Sequence, residues 1–342
     1  MTQEVVADKK PVYKAKLVTP IIHTSSRKKL ILVNSQSPGD ILMLTAAVRD
    51  LHKAHPGKYI TDVRTSCIEL WQNNPYITNL NNATDASVIQ CHYPLINMSN
   101  QRPIHFIYGF SNYIERQLNV RIPVTAYRGD IHMSVKEAVD PPQISGKYWL
   151  VFAGGKKDFT CKWYYTGYYQ EVVNRLKGKI HFVQCGQDNS SHWHPPLENV
   201  TNLVGKTSLR DIIKLMYHAE GVLCPVTFAM HLAAAVPIKP GYPKLKPCVV
   251  ISGGREPIHW EYYPGHQMLH TIGALSCCET GGCWKSRCQP INDNDEKDKI
   301  NLCENPVQVT PDLRIPKCMM MITPDKVVSA IETYYDGGIL KY

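Results

Sequence analysis

No apolar run in the 342 residues approaches the ~18 that a membrane span requires; the longest, such as HLAAAVPI (231–238), stop far short. No block of five or six like charges occurs, and no zinc-finger or helix-turn-helix spacing, which disfavours a dedicated nucleic-acid binder. GxGxxG and GxxxxGK[ST] are both missing, so a nicotinamide or flavin enzyme and a P-loop NTPase are disfavoured. The 24 prolines and 21 glycines show no period, which removes collagen-like and low-complexity readings. The opening MTQEVVADKKPVYKAK mixes acids with bases and has no apolar core behind it. The expectation is therefore no secretory signal and a cytoplasmic location.

What is present is a moderate basic excess, 38 Lys and Arg against 29 Asp and Glu, spread along the chain. Such a field attracts an anionic partner, whether a nucleotide-sugar, a polyphosphate or nucleic acid. Twelve cysteines occur, and six of them (Cys277, Cys278, Cys283, Cys288, Cys303 and Cys318) crowd into the last fifth. Without an export signal a thiolate metal site is a better expectation than a disulfide framework. The others, among them Cys161, Cys185, Cys224 and Cys248, sit singly near apolar segments and read as small buried hydrophobes.

The chain length suits about two domains. After an irregular arm with a short strand over residues 16–22, KLILVN (29–34) is the continuous β-branched and leucine run of a strand buried on both faces. SQSPGD makes a tight turn, and Ile41, Leu44, Thr45, Val48 and Leu51 recur at helical spacing until His55-Pro56-Gly57. YITDVRT (59–65) completes a βαβ unit, hence an α/β class. SVIQCHYP and RPIHFIYGF read as short strands and NYIERQLNV as a helix. Composition turns to linker near Asp140-Pro141-Pro142, and the βαβ rhythm then restarts. YWLVFAGG, IHFVQCG, GVLCPV and PCVVISGG are its strands. Helices follow over YYQEVVNRL, over TSLRDIIKLMYHAEG with Ser208 and Asp211 as a capping pair, and over TFAMHLAAA. A last helix opens with Thr323 and Pro324.

Three places carry candidate chemistry. Gly39-Asp40 lies at the carboxyl edge of the first parallel sheet, where open α/β sheets bind ligands. Gly39 lets the backbone approach a ligand; Asp40 is either a helix cap or a general base facing the cleft. In CPVTFAMHLAAA, a strand ends at Val226 and Thr227 opens a small-residue helix whose free N–H groups suit a phosphate. His231 lies one turn in, either packed or beside that anion site. Third, GGKKDFTCKW (154–163) sets Lys156, Lys157 and Lys162 after the first strand of the second domain, as solvated lysines or to neutralise a diphosphate.

Four segments together resemble the ADP-heptose-dependent heptosyltransferase family: KLILVNSQSPGDILMLTAAVRDLHKAHPG, the KW of TCKWYYTGYYQEVV, NLVGKTSLRDIIKLMYHAEGVL and VTFAMHLAAAVP. The resemblance implies a GT-B fold, with two Rossmann-like parallel-sheet domains facing across a cleft. The implied layout is an acceptor-side domain over residues 1–142 and a nucleotide-sugar domain over 143–274, then a cysteine-rich element over 275–320 and a terminal helix over 321–342. Asp40 matches the family's proposed base, Lys162 a phosphate-contacting lysine, and Thr227, Ala229 and Met230 the loop and helix start that hold the diphosphate. One departure is clear: the family's acidic residue and serine before its Gly-x-x-His stretch are replaced here by CPVTFAMH. SCCETGGCWKSRC, LCENP and IPKCMMMI are similar to the cysteine-rich insertion of the branch that heptosylates autotransporters, where four cysteines hold iron. That implies one structural metal ion, iron or zinc, on Cys278, Cys283, Cys303 and Cys318, with Cys277 and Cys288 as alternates and ordinary thiol packing as the plain reading. A closed four-thiolate site would be structural.

The leading expectation is thus an inverting glycosyltransferase using an ADP-linked sugar, heptose on the resemblance, with a hydroxyl on a protein or glycan as acceptor. Homo-oligomerisation is left open. The alternatives are a nucleic-acid-binding or DNA-modifying glycosyltransferase and a non-catalytic scaffold that keeps the fold.

Overall fold

The computed structural model describes residues 27–141, 143–337 and 340–342; the strand expected over 16–22 lies outside them. The first unit is built on β1 (Lys28–Asn34), which pairs in parallel with β2 (Tyr59–Thr65) on one side and β3 (Ser87–Gln90) on the other. Between β1 and β2 runs α1 (Pro38–Ala54), with proline in its first turn, where a missing N–H costs nothing. Its apolar residues Ile41, Leu44, Val48 and Leu51 are buried. RPIHFIYGF is not a strand: residues 102–107 are irregular and α2 (Tyr108–Leu118) begins inside it. Phe106, Phe110 and Ile114 recur every four residues on a buried face, so helical spacing overrides β-propensity. A short α3 (Val135–Val139) closes the unit behind a Ser134–Glu137 capping box.

The second unit holds a six-stranded sheet. In chain order its parts are β4 (Trp149–Val151), β5 (Gly155–Lys156), α4 (Thr166–Arg175), β6 (Phe182–Gln184), β7 (His192–Trp193) and β8 (Thr201–Asn202). α5 (Leu209–His218), β9 (Gly221–Pro225), α6 (Phe228–Ala235), β10 (Cys248–Gly253), α7 (Ile258–Glu261) and β11 (His266–His270) follow. The strand order is β11-β10-β9-β4-β6-β8, with every pairing parallel. Every residue of β9 and β10 is buried, which explains their unbroken apolar character. The edge strand β11 was not expected; HQMLH has too little apolar content to read as a strand. β5 and β7 form a separate two-stranded antiparallel ribbon.

One buried apolar cluster runs from β1 and α1 through α6 to one face of β9 and β10. The opposite face packs on α4 and on the terminal α10 (Pro324–Asp336), where the indole N–H of Trp149 donates to the Tyr335 hydroxyl at 2.9 Å. No helix among the described residues is long and apolar enough to cross a membrane.

The cysteine-rich stretch departs from expectation. It contains α8 (Lys297–Ile300), an antiparallel hairpin of β12 (Pro306–Thr310) with β13 (Leu313–Pro316), and α9 (Lys317–Met320). Among the described residues, the candidate ligand atoms that all lie within 4.8 Å of one another belong to Asp158, Asp293 and Asp295, not to cysteines. Cys278, Cys283, Cys303 and Cys318 therefore do not form the expected metal-binding element. Cys278 and Cys318 are buried against Gly254 and Gly253, and the Cys278 thiol donates to the Thr271 carbonyl. The six cysteines upstream are all buried, as expected of small hydrophobes, but Cys161 joins the late thiols in one pocket and Cys224 and Cys248 place their sulfurs 3.9 Å apart.

A cationic cage supplies the order that metal ligation was expected to supply. Arg287, 1% exposed, donates to Asp293 at 2.7 and 2.8 Å, to Asp298 at 2.6 Å and to Asp158 at 3.1 Å. Lys297 bridges Asp158 at 2.9 Å and Asp295 at 3.0 Å. The carboxylate spacing suits a cation, and these two side chains stand in that role. Arg287 holds Asp293 below the usual carboxylate range, and the backbone N–H and ammonium of Lys297 do the same for Asp295. Depressed acids stabilise the fold above their unfolded value of about 3.9 and lose that contribution as pH falls through the folded value. R287M, which keeps bulk but removes the charge, should therefore open residues 289–300 to limited proteolysis at pH 7. The unaltered chain should open there only near or below about pH 4, tested with an acid-active protease. Equal resistance of R287M at pH 7 would show that the cage does not hold this stretch.

Candidate active site

The turn between β1 and α1 places Asp40 in the third helical position, where one oxygen accepts the Ser37 N–H at 3.0 Å. Asp40 thus fills its capping role, and its carboxyl also lies near Tyr93, Lys162 and Lys156. Burial lifts its pKa above the usual carboxylate value; Tyr93, the Ser37 N–H and the two lysines oppose that lift without cancelling it. The result is an unusually basic carboxylate.

Gly39 serves a close approach, though not directly to a ligand. A Cβ there would lie 3.1 Å from Cδ2 of His231 and 3.8 Å from Cα of Phe228. Glycine is what lets the start of α1 sit against the start of α6. His231 is fully buried, its pKa lowered to about 3 by loss of water, and one ring nitrogen lies 2.6 Å from the Tyr263 hydroxyl. It is a neutral, buried residue packed under the site.

The lysines reach the site from the second unit. Lys156, on β5, donates to the Ser37 hydroxyl at 2.8 Å. Gly154 lets β5 and β7 meet: a Cβ there would fall 2.0 Å from the Trp193 carbonyl oxygen. Lys162 pairs with Glu256 at 2.8 Å. Thr227 stands at the N-cap of α6, half-buried, and makes no side-chain cap bond. Ala229 and Met230 have buried side chains and offer only backbone, with the Met230 N–H already bonded to the Thr227 carbonyl at 3.1 Å. That leaves the Thr227 hydroxyl and the unpaired N–H groups of the first turn as the polar groups of this helix start.

Sequence reasoning missed two acids. Glu256 and Glu261 are both buried, in the segment GREPIHWEYY. Burial pushes Glu256 up, but Lys162 and Arg255 outweigh it and keep it ionised. Burial and the charge of Glu256 push Glu261 well above the usual carboxylate range, toward its protonated form, and its Oε2 is buried without a hydrogen-bond partner. The only sequence signal was two acids within an aromatic stretch. The structure thus gathers Asp40, Lys156, Lys162, Gly39 and the start of α6, while the clustered cysteines lie elsewhere, behind Gly254 and Arg255.

Comparison with known proteins agrees with this layout. Residues 117–240 match the model of glycosyltransferase family 9 (heptosyltransferase). The iron-containing dodecameric glycosyltransferase TibC from enterotoxigenic E. coli is 18% identical over 91% of this chain and 77% of its own, with a TM-score of 0.60. The E. coli ADP-heptose lipopolysaccharide heptosyltransferase II is 13% identical, over 92% of this chain and 100% of its own, at a TM-score of 0.55. A family 9 glycosyl transferase of Veillonella parvula is 13% identical, over 90% and 96%, at 0.59. No curated protein matches the sequence. The chain resembles the heptosyltransferase family, and its fold is an α/β fold of the GT-B kind with two sheet-bearing units.

Glu256 is the keystone of the buried charges. E256Q should leave Lys162 and Arg255 without their carboxylate and cost about 3–5 kcal/mol, as broken buried pairs do. Urea unfolding at pH 7 reads this directly, and a loss below about 1 kcal/mol would mean that water already screens the pair.

Proposed function

We propose that the chain is an inverting glycosyltransferase that moves a sugar from a nucleoside-diphosphate donor to a hydroxyl of a protein or glycan. The observation that carries this reading is that the second unit brings Lys156, bonded to Ser37 beside Asp40, and Lys162, paired with Glu256, into the electrostatic neighbourhood of Asp40. In a single displacement, Asp40 takes the proton of the acceptor hydroxyl as its oxygen bonds to the anomeric carbon. The bond from that carbon to the diphosphate breaks, and the electron pair leaves with the phosphate. Lys156, Lys162, the Thr227 hydroxyl and the first turn of α6 receive the developing charge. Lys162 would exchange Glu256 for phosphate oxygens. The heptose and the adenine nucleotide rest on resemblance: ADP-heptose is named for both TibC and heptosyltransferase II.

A second reading, a scaffold that binds donor without transfer, draws on Lys162 being neutralised by Glu256 and on Val226 standing before Thr227, where the family carries an acid-serine pair. Calorimetry against ADP-, GDP-, UDP- and CDP-sugars separates the cases. An ADP-sugar should bind, and D40N should keep that binding while transfer falls ~10²-fold or more. Donor binding without transfer by the unaltered chain favours the scaffold. Near-normal turnover by D40N would restrict Asp40 to its capping bond, and binding of a uridine or guanosine sugar alone would overturn the adenine assignment.

A further inference from the structure

We infer that the Ser37 hydroxyl is a holding site for Lys156: it keeps, across the mouth of the cleft, the ammonium that a diphosphate must take, so that anion binding begins by breaking a bond between the two units. The inference rests on the reading of the cleft as a nucleoside-diphosphate site. Lys156 belongs to β5 of the second unit, and Ser37 is the N-cap of α1 in the first. The Lys156 Nζ donates to Oγ of Ser37 at 2.8 Å, and Lys156 makes no ion pair among the described residues. Lys162 differs, since Glu256 already neutralises it at 2.8 Å. Of the two cations, Lys156 is therefore the one held by a neutral, replaceable partner.

The backbone beneath that ammonium is pinned. Lys156 pairs with His192 and Gly155 with Trp193 in the antiparallel ribbon, and the Lys157 N–H donates to the Ser191 carbonyl at 2.9 Å. Trp193 packs on Trp163, with ring centroids 5.0 Å apart. What moves is the side chain, a flexible four-carbon stem with a compact charge at its end. Nor must the units part for it to move. Arg210 of α5 holds Glu137 at 2.5 and 2.7 Å, and Asn100 exchanges two hydrogen bonds with Gly282 at 2.9 and 3.0 Å. Release of Lys156 is a swing of one side chain at a joint that stays fastened elsewhere.

A phosphate oxygen is the partner that wins this exchange. A hydroxyl offers the ammonium a hydrogen bond, whereas a phosphate offers a hydrogen bond and a full opposite charge. A neutral ligand adds no such attraction and leaves Lys156 on Ser37. The exchange also frees the Ser37 hydroxyl, and the same residue gives its N–H to Asp40 at 3.0 Å. Donor binding thus uncovers a polar group beside the proton acceptor.

Calorimetry of the full chain with ADP, and with inorganic pyrophosphate as the diphosphate alone, tests this. S37G removes the hydroxyl but keeps a residue suited to a helix N-cap. No bond to Ser37 then has to be broken, so both ligands should bind S37G about 5-fold tighter. In a K156M background the same change should have no effect. A hydroxyl with a purely structural role, or one that itself touches the ligand, would make S37G bind more weakly. Weaker or unchanged binding overturns the inference and leaves the transferase reading standing. A second readout needs no ligand: in competitive acetylation followed by peptide mass spectrometry, Lys156 should react several-fold faster in S37G, and Lys157 beside it should not. Equal Lys156 rates overturn the inference too. Failure of both ADP and pyrophosphate to bind any variant would remove the transferase reading and the inference with it.

Discussion

Gly39 and His231 meet across the seam between the two sheets, and the closeness of that meeting decides what the site can be. With any side chain at position 39 the start of α1 would have to retreat from α6 or displace an imidazole pinned by Tyr263. Retreat would carry Asp40 away from Lys156 and Lys162, which come from the other unit. The seam tolerates a histidine because that histidine is uncharged; an imidazolium there would sit without water beside Lys162. An apolar contact between helices thus sets the distances of an electrostatic site.

The charges above the seam are ordered by the same shortage of water. Of two neighbouring buried acids, one keeps its charge because Lys162 and Arg255 adjoin it, and the other is protonated because two anions so close cannot both be sustained. Lys162 consequently waits in place with an internal counter-ion. On the proposed transferase reading, a phosphate entering the site would substitute one anion for another around a lysine already largely buried and oriented, which would limit the reorganisation that binding requires.

Much of the β1–α1 turn was legible because its signals are local: a buried apolar run, a Pro-Gly-Asp break, then helical spacing. The capping role and the raised pKa of Asp40 coexist, since its carboxyl accepts the Ser37 N–H while burial lifts it above the usual carboxylate value. What escaped was long-range. Ser37 looks unremarkable in the chain, because only the meeting of the two units sets its hydroxyl against Lys156. Glu256 and Glu261 were hidden because acids in an aromatic stretch ordinarily mark exposed positions. The cysteines misled for a related reason: crowding along the chain became a shared pocket of thiols, but the ligand atoms that lie within 4.8 Å of one another are those of Asp158, Asp293 and Asp295, gathered by an arginine within the same stretch.

That arginine also ties two parts of the chain to each other. Asp158 belongs to the loop that ends in Lys162, and the same loop meets the late stretch through Cys161 N–H to the Ser286 carbonyl at 2.9 Å and Cys288 N–H to the Thr160 hydroxyl at 2.7 Å. The late stretch is therefore not an ornament that inheritance could add or discard freely. Its loss would strand an aspartate and a threonine under a lysine at the site, and its gain would have required that loop to change in step. Substitutions at Asp158, Thr160 and Arg287 should accordingly be inherited as a group, with the loop and the late stretch behaving as one heritable module despite the long span of chain between them.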